Sequence, residues 1–184
     1  ANVNLTEVTD NASTVGDIRI AFSNVLVGTG NSGWTKAHYS YIGSSVTGFA
    51  DHGDIWIEPS YTGSAAGSYS AHVAAHELGH ALGLEHPFQG TTLPTAQDTS
   101  QYTLMSYTHY SSYGSYYGFT PQLYDIQTLQ YLYGANTSTR TGADTYTFST
   151  GFEIKCIWDA GGTDTISASN QSVAATIDLR EGNF

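Results

Sequence analysis

Between residues 76 and 86 the chain reads His-Glu-Leu-Gly-His-Ala-Leu-Gly-Leu-Glu-His, and no other stretch restricts the fold as tightly. The segment Ala71 to Leu82 carries Ala, Val, Leu, Glu and His without proline, and Ser70 stands before it as a cap, so a helix is predicted there. Residues four apart on a helix share a face, which sets His76 and His80 side by side with ring nitrogens that can meet at one ion. Gly83 can take a positive φ and turn the chain back, returning His86 as a third ligand. Three neutral imidazoles suit zinc with a fourth position open to water, whose pKa the ion would lower from about 15.7 towards roughly 7. Glu77 follows the first ligand directly, so its carboxylate falls beside the metal, where it can act as general base and later pass the proton to a leaving amine. The pattern is that of a zinc hydrolase.

Other histidines and carboxylates fit the ion less well. His72 lies four residues before His76, but Val73 follows it, so a His72/His76 pair would have no carboxylate next to its first ligand; a non-ligand role is expected. Glu85 is expected to face solvent or to orient the His86 ring. His38 and His52 have no diagnostic metal spacing and read as ordinary polar residues.

Five Lys+Arg against sixteen Asp+Glu give a net charge of −11, which argues against nucleic acid and anionic membrane surfaces as partners. No apolar run is long enough for a membrane span, and Ala1 to Asp10 lacks the features of a signal peptide. Cys156 is the single cysteine, so packing and metal ions are expected to stabilise the chain in place of disulfides. Alternation predicts strands at Asp17 to Phe22 and Asp54 to Glu58, the latter stopped by Pro59 and hinting at a sheet edge, with at most short strands such as His38 to Ile42 between them. A second helix is predicted over Gln122 to Tyr133, capped by Thr120, begun by Pro121 and closed by Gly134. Between the helices, Gly90 to Gly118 reads as an irregular segment that something else must hold. After the second helix, Asp144 to Phe148, Lys155 to Trp158 and Ala175 to Leu179 look like strands of an appended β module.

The eleven-residue pattern is the motif of the metzincins, and Leu104-Met105-Ser106-Tyr107 resembles their Met-turn. The resemblance implies that Met105 is the apolar floor under the zinc ligands. It also implies that Tyr107 reaches the zinc as an extra ligand in the resting enzyme and swings to help stabilise the transition state. The chain is most similar to the serralysins, through His76 to Pro87, Leu104 to Tyr107, Pro121 to Ile126, Tyr131 to Asn136 and Ile157 to Asp164. Asp54, Ile55, Trp56 and Ile57 resemble the edge strand on which these peptidases lay the substrate backbone. Arg140, Gly142, Asp144, Asp159, Gly161 and Asp164 match a structural calcium site formed by two short loops; Asp144, often neutral in the family, is included for its oxygen chemistry.

The resemblance thus implies an α+β fold. Residues 1–136 would form a metzincin catalytic domain, a twisted mixed sheet with the zinc-site helix and a second C-terminal helix. Residues 137–184 would begin a calcium-binding β module, truncated before any glycine-rich repeats. The implied activity is a secreted, extracellular, bacterial zinc endopeptidase acting on proteins or peptides with Zn2+ and Ca2+. The family's first strand and first helix have no counterpart here. That leaves a longer polypeptide, a segment supplied by another chain, or a reduced variant as expectations, with an inhibitor as a further partner. The alternatives are a matrixin-like peptidase, without the Tyr107 ligand and the calcium loops, and an inactive zinc-binding module.

Overall fold

The computed structural model describes residues 1–42, 45–63, 65–149 and 154–180, with backbone alone for residues 37–42 and 45–52. Two units form. One comprises Ala1–Asn136 with Ile154–Ile157, the other Thr137–Glu153 with Trp158–Phe184.

The first unit is built on strand β1 (Ile20–Phe22), a long hairpin of β2 (Gly33–Ile42) and β3 (Ser45–Ile57), and helices α1 (Tyr69–Ala81) and α2 (Leu123–Tyr133). The sheet order is β1-β3-β2, with β1 parallel and β2 antiparallel to β3. Alternation along β3 turns Ile55 and Ile57 inward, where they pack with Val73 and Ala81 of α1. Trp56 points to the opposite face and stacks on Trp34 of β2, with ring centroids 5.1 Å apart. A second core joins Leu84, Leu104 and Met105 to Leu129 of α2. The mixed sheet and two helices agree with the α+β architecture of a metzincin catalytic domain.

The assignment of Asp54–Ile57 as the edge strand is corrected by the register. Ile55 faces Ile20 on one side and Thr35 on the other, so this segment is interior, and β1 and β2 are the two edges among the described residues. Its continuous apolar run suits an interior strand, and Pro59 ends the strand without marking an edge. β2 is also longer than the short strand expected at His38 to Ile42, because Gly, Ser and Asn around it mask an aromatic-rich run. The side chains of His38 and His52 lie outside the described residues. Helix caps shift slightly: the Ser68 hydroxyl, not Ser70, accepts from the Ala71 amide, and Gln122 caps α2 in place of Thr120. Both predicted stops stand, with φ of +97° at Gly83 and +80° at Gly134.

In the second unit, β4 (Thr145–Thr147) pairs in parallel with β5 (Thr165–Ser167). β5 was not among the predicted strands, and neither Lys155 to Trp158 nor Ala175 to Leu179 forms one. Ile154, just before the former, is buried in the first unit near Gly118.

Candidate metal centre and cleft

Helix α1 and the turn after it bring His76, His80 and His86 together, with one ring nitrogen of each within 4.8 Å of the others. The Nδ1 of every ring is engaged elsewhere. His76 Nδ1 donates to the Leu104 carbonyl (2.8 Å), His80 Nδ1 to the Leu84 carbonyl (2.8 Å) and His86 Nδ1 to Gln89 Oε1 (3.0 Å). A neutral imidazole that donates through Nδ1 carries its lone pair on Nε2, so all three rings offer a lone pair to one point. His80 Nε2 and His86 Nε2 stand 3.1 Å apart. Two lone pairs repel at that distance unless a cation lies between them, and tetrahedral zinc with Zn–N near 2.0–2.1 Å spaces its ligands by about 3.3 Å. The donor set therefore fits zinc. Burial drives the His76 pKa from 6.5 down to about 3 against the opposing Leu104 bond, and lowers that of His80 as well, so these rings are neutral ligands at ordinary pH.

Glu77 is buried beside this cluster. The Thr35 hydroxyl of β2 donates to its Oε2 (2.5 Å) and to its backbone carbonyl (3.0 Å). Burial raises the Glu77 pKa and the Thr35 bond opposes the rise, which moves the carboxyl towards the range of a general base. Gly33 of β2 must lack a side chain, because a Cβ there would lie 2.6 Å from Glu77 Cγ and Oε1.

The irregular segment is held by Asp125, 1% exposed on the first turn of α2. Its carboxylate accepts from the Thr103 hydroxyl (2.6 Å) and from the amides of Leu104 (2.8 Å) and Gln122 (2.8 Å). Leu104 thus donates to Asp125 through its amide and accepts from His76 at its carbonyl, linking α2 to a metal ligand. Met105 is buried beneath α1, its sulfur so close that a Cβ on Gly79 would meet it at 2.7 Å. The Tyr107 ring lies over the histidines, with centroids 4.6 Å from His86 and 5.8 Å from His76, and Phe88 stacks on His86 at 5.0 Å. His76, Glu77 and Tyr107 border a cleft of about 300 Å³ that passes Gly33, at the start of β2, and reaches Tyr69, His72 and Tyr117. In the second unit, Asp144, Asp159 and Asp164 bring carboxylate oxygens within 4.8 Å of one another.

Residues 1–134 match the Matrixin family, and residues 123–184 match the family described as Peptidase M10 serralysin C terminal. The chain is a serralysin-type metzincin. It is similar to Serralysin of Proteus mirabilis, 39% identical over 72% of this chain and 33% of that protein. It is also similar to Serralysin B of Dickeya chrysanthemi (31%) and Metalloprotease AprA of Pseudomonas entomophila (32%), each alignment covering 100% of this chain and 43% of the relative. The chain spans less than half the length of these curated relatives.

In this serralysin-type chain the structure brings together His76, Glu77, His80, His86, Met105 and Tyr107, while Ile55 and Ile57 support α1 from behind. His72 stays out of the ligand cluster, its Nδ1 bonded to the Gly118 carbonyl at 2.6 Å. Sequence reasoning missed Gly33, Thr35, Gln89 and Asp125. Only Asp125 had a local signal, since an acidic residue three after a polar cap marks a capping box. In the second unit Asp164 accepts from the Asp144 amide (3.0 Å), and Asp159 accepts from the Gly161 amide (2.9 Å) and the Tyr146 hydroxyl. The Arg140 guanidinium lies 5.2 Å over the Tyr146 ring. Gly142 and Gly162 touch so closely that a Cβ on Gly162 would overlap the Gly142 carbonyl.

Proposed function

We propose that residues 1–136 are the catalytic domain of a zinc endopeptidase and that residues 137–184 begin a calcium-binding β module, in a protein exported from a bacterial cell. The observation that carries the catalytic reading is the convergence of three Nε2 lone pairs beside a buried, Thr35-bonded carboxylate. His76, His80 and His86 would hold a zinc ion, which would supply the Lewis acidity that acidifies water and polarises a peptide carbonyl. Glu77 takes the proton of the attacking water on its carboxylate and delivers it to the departing amine. Thr35 keeps that carboxylate turned towards the cleft, and Met105 and Asp125 hold the ligands from below. Tyr107 serves as the mobile phenol; its exposure of 70% leaves room for the swing. The substrate backbone is laid along β2 as an added antiparallel strand, replacing the role first expected of Asp54–Ile57.

For the second unit, Asp144, Asp159 and Asp164 supply carboxylate oxygens to calcium, and Arg140, Gly142 and Gly161 supply loop carbonyls. Metal content and casein cleavage of the wild type, Glu77→Ala and Tyr107→Phe test the catalytic reading together. Zinc is expected in all three. Cleavage should fall by about 10² to 10⁴ in Glu77→Ala, the range typical for removing a general base, and by less in Tyr107→Phe. A wild type that holds zinc and cleaves nothing would make the chain a binding module instead.

A further inference from the structure

The stripe of histidines on α1 begins one turn before the metal ligands, at His72, and the metal centre makes no use of it. His72 is buried and lines the cleft, its ring centroid 6.1 Å from that of His76. Its Nδ1 donates to the Gly118 carbonyl, which fixes the tautomer and leaves the lone pair on Nε2. Burial lowers the ring's pKa, so it stays neutral and Nε2 stays an acceptor. Among the described residues no hydrogen bond reaches that nitrogen. The neighbouring hydroxyls of Ser32, Ser100 and Ser106 are already engaged, with Tyr69, the Tyr110 amide and Asp98, while His109, also on the wall, donates through Nε2 to the Gly114 carbonyl and keeps a buried Nδ1 without a partner among the described residues.

The surroundings of His72 are aromatic. Tyr69 stacks at 6.2 Å and Tyr117 is tilted at 5.6 Å, and the two tyrosines meet edge to face at 5.1 Å. No lysine or arginine lines the cleft, and Glu77 is its one carboxylate. A space of about 300 Å³ with ring walls suits a large flat side chain, and a buried acceptor at its wall suits one that ends in a donor.

We infer that His72 is a specificity-determining residue: its Nε2 accepts a hydrogen bond from the side chain of a peptide bound in the cleft, so that the cleft prefers tyrosine to phenylalanine. The inference rests on the peptide-binding reading above and adds the class of side chain selected. A neutral acceptor left unpaired by phenylalanine penalises that side chain, while the tyrosine hydroxyl satisfies it.

The test is binding, on zinc-loaded Glu77→Ala protein, of labelled alanine-glycine hexapeptides carrying a single Tyr or a single Phe at each position. At one position the Tyr peptide should bind about tenfold tighter, the difference expected of one neutral hydrogen bond in a partly enclosed site. In His72→Asn the amide sits at the δ position, keeps a donor for Gly118 and loses the ε acceptor, so the ratio should fall to about one. In His72→Gln an oxygen returns to the ε position and the preference for Tyr should persist. Equal affinities at every position, an unchanged ratio in His72→Asn, or no peptide binding at all would overturn the inference. Casein cleavage by the wild type is measured separately. Selective Tyr binding by a protein that cleaves nothing would support the role of His72 while overturning the peptidase reading.

Discussion

The histidine cluster of the first unit and the aspartate cluster of the second each gather three donors within 4.8 Å, yet they are built differently. His76 and His80 are anchored through backbone carbonyls, and the residue carrying one of them, Leu104, donates its amide to Asp125 on another helix. The aspartates lie on short loops whose main anchors are the Tyr146 hydroxyl and two loop amides. Neutral imidazoles held by packing and by bonds through Nδ1 can stand side by side, with a modest lone-pair repulsion that zinc would relieve; three carboxylates repel more strongly and would be drawn in by a cation. On the proposed reading, the difference predicts that the first site keeps its arrangement without metal and that the second depends on a cation.

Cutting the anchor of the first cluster should have the largest effect. Asp125→Ala leaves the Thr103 hydroxyl and the Leu104 and Gln122 amides without their acceptor, at a cost of about 3–5 kcal/mol. Thermal unfolding of the metal-free protein measures it, and a change below about 1 kcal/mol, the worth of one ordinary hydrogen bond, would remove the anchor from the account. Acid is a second, gentler way to break the same cluster. His76 titrates near 6.5 when unfolded and near 3 when folded, so the unfolded chain binds more protons between those values. Stability of the metal-free protein should be full above about pH 6.5 and fall as pH drops towards 3; denaturant midpoints across that window check the direction. The smallest effect is expected at the second cluster. Saturating calcium should raise the unfolding temperature of the wild type by a few degrees, equivalent to about 1–3 kcal/mol of ligand binding, and should leave Asp164→Asn nearly unmoved.

The same contrast explains what was legible in the sequence. His76, Glu77, His80 and His86 fall within one helix and one turn, where spacing alone dictates direction, so local rules suffice. Asp144, Asp159 and Asp164 are separated in sequence; the likeness to serralysins pointed to the two loops, and oxygen chemistry added Asp144. The substrate edge was misread because strand pairing is non-local: nothing in Asp54-Ile-Trp-Ile57 states that Ile20 and Thr35 flank Ile55. Thr35 and Gly33 escaped for the same reason, since their meaning arises only where β2 crosses Glu77. The β module was the least legible, its strands being three residues long and nearly as polar as its turns.

The central claim is that a preorganised three-histidine centre on α1 and the turn after it works with Glu77 as a peptidase. Titrating zinc into the metal-stripped chain while following casein cleavage tests it most directly. Activity should rise in proportion to added zinc, stop at one equivalent, and be absent throughout in His76→Ala. Cleavage that needs no zinc, or that survives in His76→Ala, would contradict it.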